Sequence, residues 1–206
     1  MKTFDIDDCS KVFFTSDTHF GHQNIIKFCC RPFEDVYHMD NALIENWNRT
    51  VKENDFVFHL GDFAIGNSEL WCNTLKQLNG NIVLIKGNHD IQNYRDTYNK
   101  FFLYTDMELF ITVAGQPIYL NHFPYLTFPG RFRKNNPAWQ LFGHVHLNKV
   151  GRYNTGNDFA RMKYLLPTQY DVGVDFHDYK PISFTELKKR MDYQIANNVN
   201  QKYWIK

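Results

Sequence analysis

A chain of 206 residues, 43% of them apolar, is long enough to bury a core without disulfide or metal staples. Its formal net charge of +1, with scattered basic residues, excludes the overall electrostatic footprint of a non-specific nucleic-acid binder. No window approaches the roughly 18 apolar residues of a membrane span, and the opening MKTFDIDDCSKVFF lacks the apolar run of a signal peptide, so a soluble cytoplasmic protein is expected. Cys9, Cys29, Cys30 and Cys72 fit neither a disulfide framework nor a C-x-x-C motif, and are expected to be reduced thiols.

In chain order, KVFFTS predicts a buried strand. QNIIKFCC predicts a short helix ended by Arg31-Pro32, and MDNALIENWNRTV an amphipathic helix with Leu43, Ile44 and Trp47 inward. DFVFHLGD and NIVLIKGNHD predict two further strands. Between them Asn67 or Ser68 caps a helix through Trp71, Leu75 and Leu78, stopped by Asn79-Gly80. MELFITVAGQPIYLNH alternates like a hairpin around Ala114-Gly115-Gln116-Pro117, and WQLFGHVH and YDVGVDF predict more strands. YLTFPGRFRKNNP and GRYNTGNDFARMKYL predict surface loops. Ser183 to Glu186 forms a capping box for a last helix whose stripe Leu187, Met191, Ile195 predicts core packing. The pattern gives an α/β fold in one domain over residues 1–206, with two packed sheets flanked by helices.

The polar residues that end these apolar runs carry the chemistry. Side chains two apart on a strand face one side, so Asp17 with His19, and His144 with His146, can each aim two ligands at one point. Gly61-Asp62, Gly87-Asn88-His89-Asp90 and Asn121-His122 end three other strands. The five clusters are expected to meet along the carboxyl-end rim of a sheet, where ligands collect in open α/β architectures. Imidazole and carboxylate or amide donors without thiolates suit first-row divalent ions. Seven donors exceed the needs of one ion and suit two ions sharing a carboxylate.

D-x-H, GD, GNHD, a later histidine and GHVH stand in the order seen in the calcineurin-like metallophosphoesterase superfamily, and the set resembles it over about residues 12 to 180. DTHFGH resembles the small bacterial and phage members. The resemblance implies a four-layer sandwich of two mixed β-sheets between helices, with two divalent ions per chain, manganese first and iron, zinc, nickel or cobalt as alternatives. It places Asp17, His19, Asp62 and His146 on one ion and Asp62, Asn88, His122 and His144 on the other, with Asp62 as the bridge. Four positive charges against two carboxylates and a bridging hydroxide would leave a formal charge of roughly +1, which attracts an anion and suits in-line attack of that hydroxide on phosphorus. The catalytic pair expected beyond metal binding is His89, as acid for the leaving group, beside Asn88. Asp90 either orients His89 or starts the next helical turn. Relatives reading GDxxD carry a second carboxylate that supports this histidine; here GDFAI puts Ile65 at that place, which argues against the protein-phosphatase branch.

Other polar residues have ordinary readings beside functional ones. His22 could touch substrate or a ligand from outside. His59, inside a strand, reads as a packed, hydrogen-bonded histidine. Arg31 could grip phosphate, although a lone arginine before proline reads first as a helix-terminal surface residue. Arg131, Arg133 and Lys134 with Phe128 and Phe132 could stack a base, against the plainer reading of a solvated loop. The expected activity is metal-dependent hydrolysis of a phosphate ester, diester ahead of monoester, with a non-catalytic scaffold of the same fold as the competing class. The expected partner is a phosphoester substrate, nucleotide-derived among the candidates, with no membrane and no stable nucleic-acid binding.

Overall fold

Alternation along the first strands sorts their side chains onto two faces, and each face finds its own core. In the computed structural model, which describes residues 4–147 and 162–201, Val12 and Phe14 point with Phe58, Val83 and Ile85 into the space between two sheets. Phe13, Val57, Ile82 and Leu84 point the other way, toward helices. The strands are β1 (Phe4–Ile6), β2 (Val12–Thr15), β3 (Phe56–His59), β4 (Asn81–Ile85), β5 (Tyr104–Asp106), β6 (Glu108–Val113), β7 (Gln116–Asn121), β8 (Trp139–Phe142), β9 (Gln169–Asp171) and β10 (Ile182–Ser183). One sheet of five runs β10-β2-β3-β4-β5 and the other β1-β6-β7-β8-β9. Both are mixed. In the first, β2 to β5 are parallel and β10 antiparallel; in the second, β7, β8 and β9 are parallel and β6 pairs antiparallel with β7. The carboxyl ends of β2, β3, β4, β7, β8 and β9 therefore supply the loops of one rim.

Helices α1 (Gln23–Cys29), α2 (Val36–Thr50), α3 (Ser68–Leu75) and α4 (Asn88–Asn93) follow the parallel strands. Met39, Leu43 and Trp47 of α2 and Trp71 and Leu75 of α3 cover the outer face of the first sheet. Helix α2 starts earlier than its apolar period suggests, because the Asp35 carboxylate accepts the His38 amide at 2.8 Å and caps it. Asn67 caps α3, which ends at Leu75 and does not reach Leu78. The sixth and seventh strands form the expected hairpin, with Ala114 and Gly115 at positive φ between them. Of YDVGVDF only Tyr170 and Asp171 belong to a strand, which starts at Gln169; Val174–Phe176 turns into a 3-10 helix.

The last helix, α5 (Phe184–Asn197), closes one edge of the inter-sheet core with Phe184, Leu187 and Met191. Ser183 Oγ accepts the Glu186 amide at 3.2 Å, while the Glu186 carboxylate binds Arg190 at 3.0 Å. Ile195 is corrected by the structure: it is 41% exposed, and Gln194 takes the inward place. The Gln194 amide donates to the carbonyls of Pro167 at 3.0 Å and Gln169 at 3.4 Å, which an apolar side chain would leave unsatisfied. The loop at 125–137 is not wholly solvated either. Phe128 is buried with Tyr119 and Ala138, while Phe132 is exposed beneath the Arg131 guanidinium, 4.3 Å from its ring centre. Of the loop expected at 151–165, only 162–165 lies among the described residues, with a 3-10 turn at Met162–Tyr164. The four cysteines are free thiols, and among the described residues no helix is long and apolar enough to cross a membrane.

His59 is fully buried on the helix side of β3, its ring stacked 6.4 Å from Trp47. Its Nε2 bonds the Thr18 hydroxyl at 2.9 Å and its Nδ1 accepts the Gly61 amide at 3.2 Å. Burial drives its pKa down to about 3. The unfolded chain then binds a proton near pH 6.5 that the folded chain does not, so stability falls as pH drops from about 6.5 toward 3. In the metal-free protein, His59→Gln should remove this contribution. Between pH 7 and pH 5 the unfolding free energy of wild type should fall by roughly 2 kcal/mol relative to the variant in urea titrations, the carboxylates common to both cancelling in the difference.

Candidate metal centre

The rim loops are bound to one another before any ligand is considered. Asp17 N–H donates to the Gly61 carbonyl at 2.9 Å, His19 N–H to that of Asp62 at 3.0 Å, and Gly143 N–H to that of His122 at 2.9 Å. Val174 N–H donates to the Ser16 carbonyl at 3.0 Å and His144 N–H to Asp17 Oδ2 at 3.0 Å, joining the two sheets across the rim. Two glycines are needed for this closeness. A Cβ at Gly143 would collide with Asp17 Oδ2 and Ser16 Oγ, and one at Gly87 with Asp62 Oδ1.

Backbone strain is concentrated at the same place. Asp17, His19, Asp62, His144 and His146 all hold positive φ, between 47° and 71°. Left-handed conformations at non-glycine residues cost on the order of 1 kcal/mol or more each and persist where surrounding contacts over-determine them, which happens mostly at functional sites.

The strain brings the donors into two groups. Asp17, His19 and His146 can present one donor atom each within 4.8 Å of one another, as can Asp62, His122 and His144. Asp62 also groups with His19 and His89, which makes it common to both sides. Its Oδ2 lies 3.6 Å from His19 Nε2 and 3.4 Å from His122 Nε2, while His146 Nε2 is 3.7 Å from Asp17 Oδ1. Asn88 Oδ1 is 3.1 Å from His122 Nε2. Two donors about 2.1 Å from one ion stand roughly 3.0–3.4 Å apart at octahedral or tetrahedral angles; the two His122 spacings fall in that range, and the His19–Asp62 and His146–Asp17 spacings are a few tenths of an ångström wider. The fit has a direct sign in the structure: His19 Nε2 is buried without a hydrogen-bond partner. A buried orphan nitrogen of this kind costs free energy unless a ligand takes it.

The histidines are turned so that Nε2 faces inward. His122 Nδ1–H donates to the Leu60 carbonyl at 2.7 Å, and His146 Nδ1–H to Asp175 Oδ2 at 2.9 Å, which turns the two Nε2 atoms toward Asp62 and Asp17. Burial lowers the pKa of His19 well below the usual imidazole value, keeping it in the ligating neutral form. Burial also opposes protonation of His122, but Asp62 and Asp17 outweigh it and raise its pKa to about 9. A cation at this position would displace that proton, so its affinity should weaken as pH falls.

The remaining residues singled out in the sequence fall as follows. His89 is the second residue of α4, with its side chain 40% exposed, its Nε2 4.0 Å from Asp62 Oδ2 and its backbone amide donating to Asp62 Oδ1 at 2.9 Å. His22 lies beside it, Nδ1 3.2 Å from His19 Nδ1 and its ring tilted 51° to that of His89 with centres 6.1 Å apart. Asp90 does not orient His89. Its two buried oxygens accept the amides of Asp62 at 2.7 Å, Phe63 at 2.9 Å and Gly87 at 2.8 Å, which clamps the β3 and β4 loops together. Burial raises its pKa to about 7 against those three donors.

Arg31 contradicts its surface reading. It is buried, and its guanidinium pairs with both oxygens of Asp175 at 2.9 and 3.0 Å and donates to the carbonyls of Asp17 at 2.6 Å and Thr18 at 2.9 Å. Burial pushes Asp175 upward, but the Arg31 charge and the His146 hydrogen bond overcome it and hold its pKa at about 2. Asp175 thus stands as an anion behind His146, a role no reading of the sequence anticipated. The signal was present in VGVDF, another apolar run closed by a carboxylate after a glycine.

The model of calcineurin-like phosphoesterases matches residues 10–161 of this chain. An uncharacterized protein of Methanocaldococcus jannaschii is 32% identical over 92% of the chain and 97% of its own length. The gene 66 protein of Mycobacterium phage D29 is 30% identical over 84% of the chain and 92% of its own. Among solved structures, a protein of unknown function from Aquifex aeolicus superposes with a TM-score of 0.64 at 27% identity, over 86% of this chain and 97% of that one. The ordered motifs, the mixed five-stranded sheets and the rim that gathers the motif residues agree with these likenesses, and the chain belongs to the calcineurin-like phosphoesterase family.

Proposed function

We propose that this protein hydrolyses phosphate diesters, nucleotide-derived ones among them, at a centre of two divalent cations, manganese being the first candidate. The observation that carries the reading is the sharing of Asp62 Oδ2 between two donor groups, 3.6 Å from His19 on one side and 3.4 Å from His122 on the other. Asp17, His19, Asp62 and His146 would hold one ion, and Asp62, Asn88, His122 and His144 the other. Such a pair supplies Lewis acidity to the phosphoryl oxygens and lowers the pKa of a water.

The chain's own residues supply the rest. His89, anchored through its amide and exposed on its ring, is placed to give a proton to the departing oxygen. The sequence has Ile65 where relatives put a carboxylate, and Asp90 is occupied by amides, so His89 acts without a carboxylate partner from either residue. Arg31 lends no charge to the cleft, because its guanidinium is engaged by Asp175.

The test compares metal-stripped with manganese-supplemented protein on bis(p-nitrophenyl) phosphate and p-nitrophenyl phosphate. Turnover that requires manganese and favours the diester is expected; no metal-dependent turnover on any ester of a broad panel would support a non-catalytic scaffold. His89→Ala should lower kcat by about 100-fold or more on an alkyl ester, whose leaving oxygen needs a proton. The loss should be much smaller on p-nitrophenyl esters, and equal losses on both would remove His89 from the acid role.

A further inference from the structure

A cavity of about 620 Å³ opens beside His144, bounded by Phe123, Tyr125, Leu126, Val145 and Tyr164. Its floor is continuous with the metal centre, because the Phe123 ring meets the rings of His122 and His144 edge-on at 4.9 and 4.7 Å. Apart from His144, these walls are apolar or aromatic, yet they are not sealed: Leu126 is 80% exposed and Tyr164 63% exposed. Large apolar side chains left open next to a polar centre mark a surface that a ligand covers. Cations stand at its rim. Arg131 donates to the Leu126 carbonyl, and the Lys163 ammonium lies 4.9 Å from the Tyr164 ring centre.

We propose that this pocket receives the nucleobase of a nucleotide phosphoester, an inference that rests on the phosphoesterase reading of the adjoining centre. Three aromatic walls offer π-faces that a flat base can use whatever its hydrogen-bonding edge, and the basic rim suits the anionic group to which the base is attached. The pocket lies on the His122–His144 side of Asp62, whereas His89 groups with His19. The base and the departing oxygen's proton donor are therefore served by different residues.

Inhibition of bis(p-nitrophenyl) phosphate turnover by the manganese-loaded protein separates the possibilities. Adenosine 5′-monophosphate and ribose 5-phosphate share sugar and phosphate and differ only in the base. The nucleotide should inhibit about ten-fold more tightly or better. Tyr164→Ala and Leu126→Ser, both at exposed positions that leave the core intact, should bring the two constants within about two-fold of each other. Equal constants in wild type, or a preference that survives both variants, would overturn the pocket assignment alone. Octyl phosphate inhibiting as well as the nucleotide would overturn the choice of a base over an alkyl chain. Absence of any metal-dependent turnover would overturn the phosphoesterase reading and the pocket with it.

Discussion

Asp62→Asn is expected to lower phosphoester turnover about a thousand-fold while the protein stays folded. One oxygen of Asp62 serves both donor groups, and an asparagine can offer at most a neutral oxygen or an amide nitrogen there. Charge stabilisation at a two-cation site is worth several kcal/mol, and each 1.36 kcal/mol is a factor of ten in rate, which gives the expected size. The fold should tolerate the change, because the other oxygen accepts the His89 amide at 2.9 Å and an asparagine oxygen can do the same. Metal content measured with kcat/KM should show loss of bound cation alongside loss of rate, with thermal unfolding of the metal-free protein little altered. A variant that keeps wild-type rate and metal content would remove Asp62 from the bridging role.

Arg31→Leu should destabilise the protein by about 3–5 kcal/mol, the usual cost of leaving one member of a buried ion pair uncompensated. The guanidinium holds both oxygens of Asp175 and also the carbonyls of Asp17 and Thr18, none of which has water to turn to. Replacing both partners, as in Arg31→Leu with Asp175→Leu, should recover much of that stability, since an apolar pair no longer buries a lone charge. It should not recover function. Without Asp175 the His146 ring loses the acceptor that fixes its tautomer, and loss of such a partner typically costs 10- to 100-fold in metal affinity or activity, about the effect expected here. Urea unfolding and metal titration of the single and double variants separate the two roles. A stable single variant, or a double variant that binds metal like wild type, would contradict this account.

The parts of the fold legible in the sequence were those set by local pattern. Short apolar runs such as VFFT and FVFH announced buried strands, and the turn residues of VAGQ announced the hairpin. The donor clusters were legible because each ends such a run, so the topology that aligns the parallel strands also gathers their ends. Residues whose role depends on a distant partner were not. Arg31 before Pro32 has every local mark of a helix end at the surface, and only a carboxylate 144 positions away turns it inward. Asp90 reads locally as a neighbour of His89, although its partners are amides from the preceding strand's loop. Ile195 fits the helical stripe, but nearby carbonyls needed a donor and drew Gln194 inward instead. The pocket beside His144 is built from the ends of two strands and a turn far along the chain, so no single stretch signals it.

The most direct test of the two-cation centre is the number of metal ions per chain at full activity, counted by elemental analysis while stripped protein is titrated with manganese. The account predicts that rate rises until two equivalents are bound and that Asp62→Asn never reaches that number. Full activity at one equivalent, or with none, would contradict it.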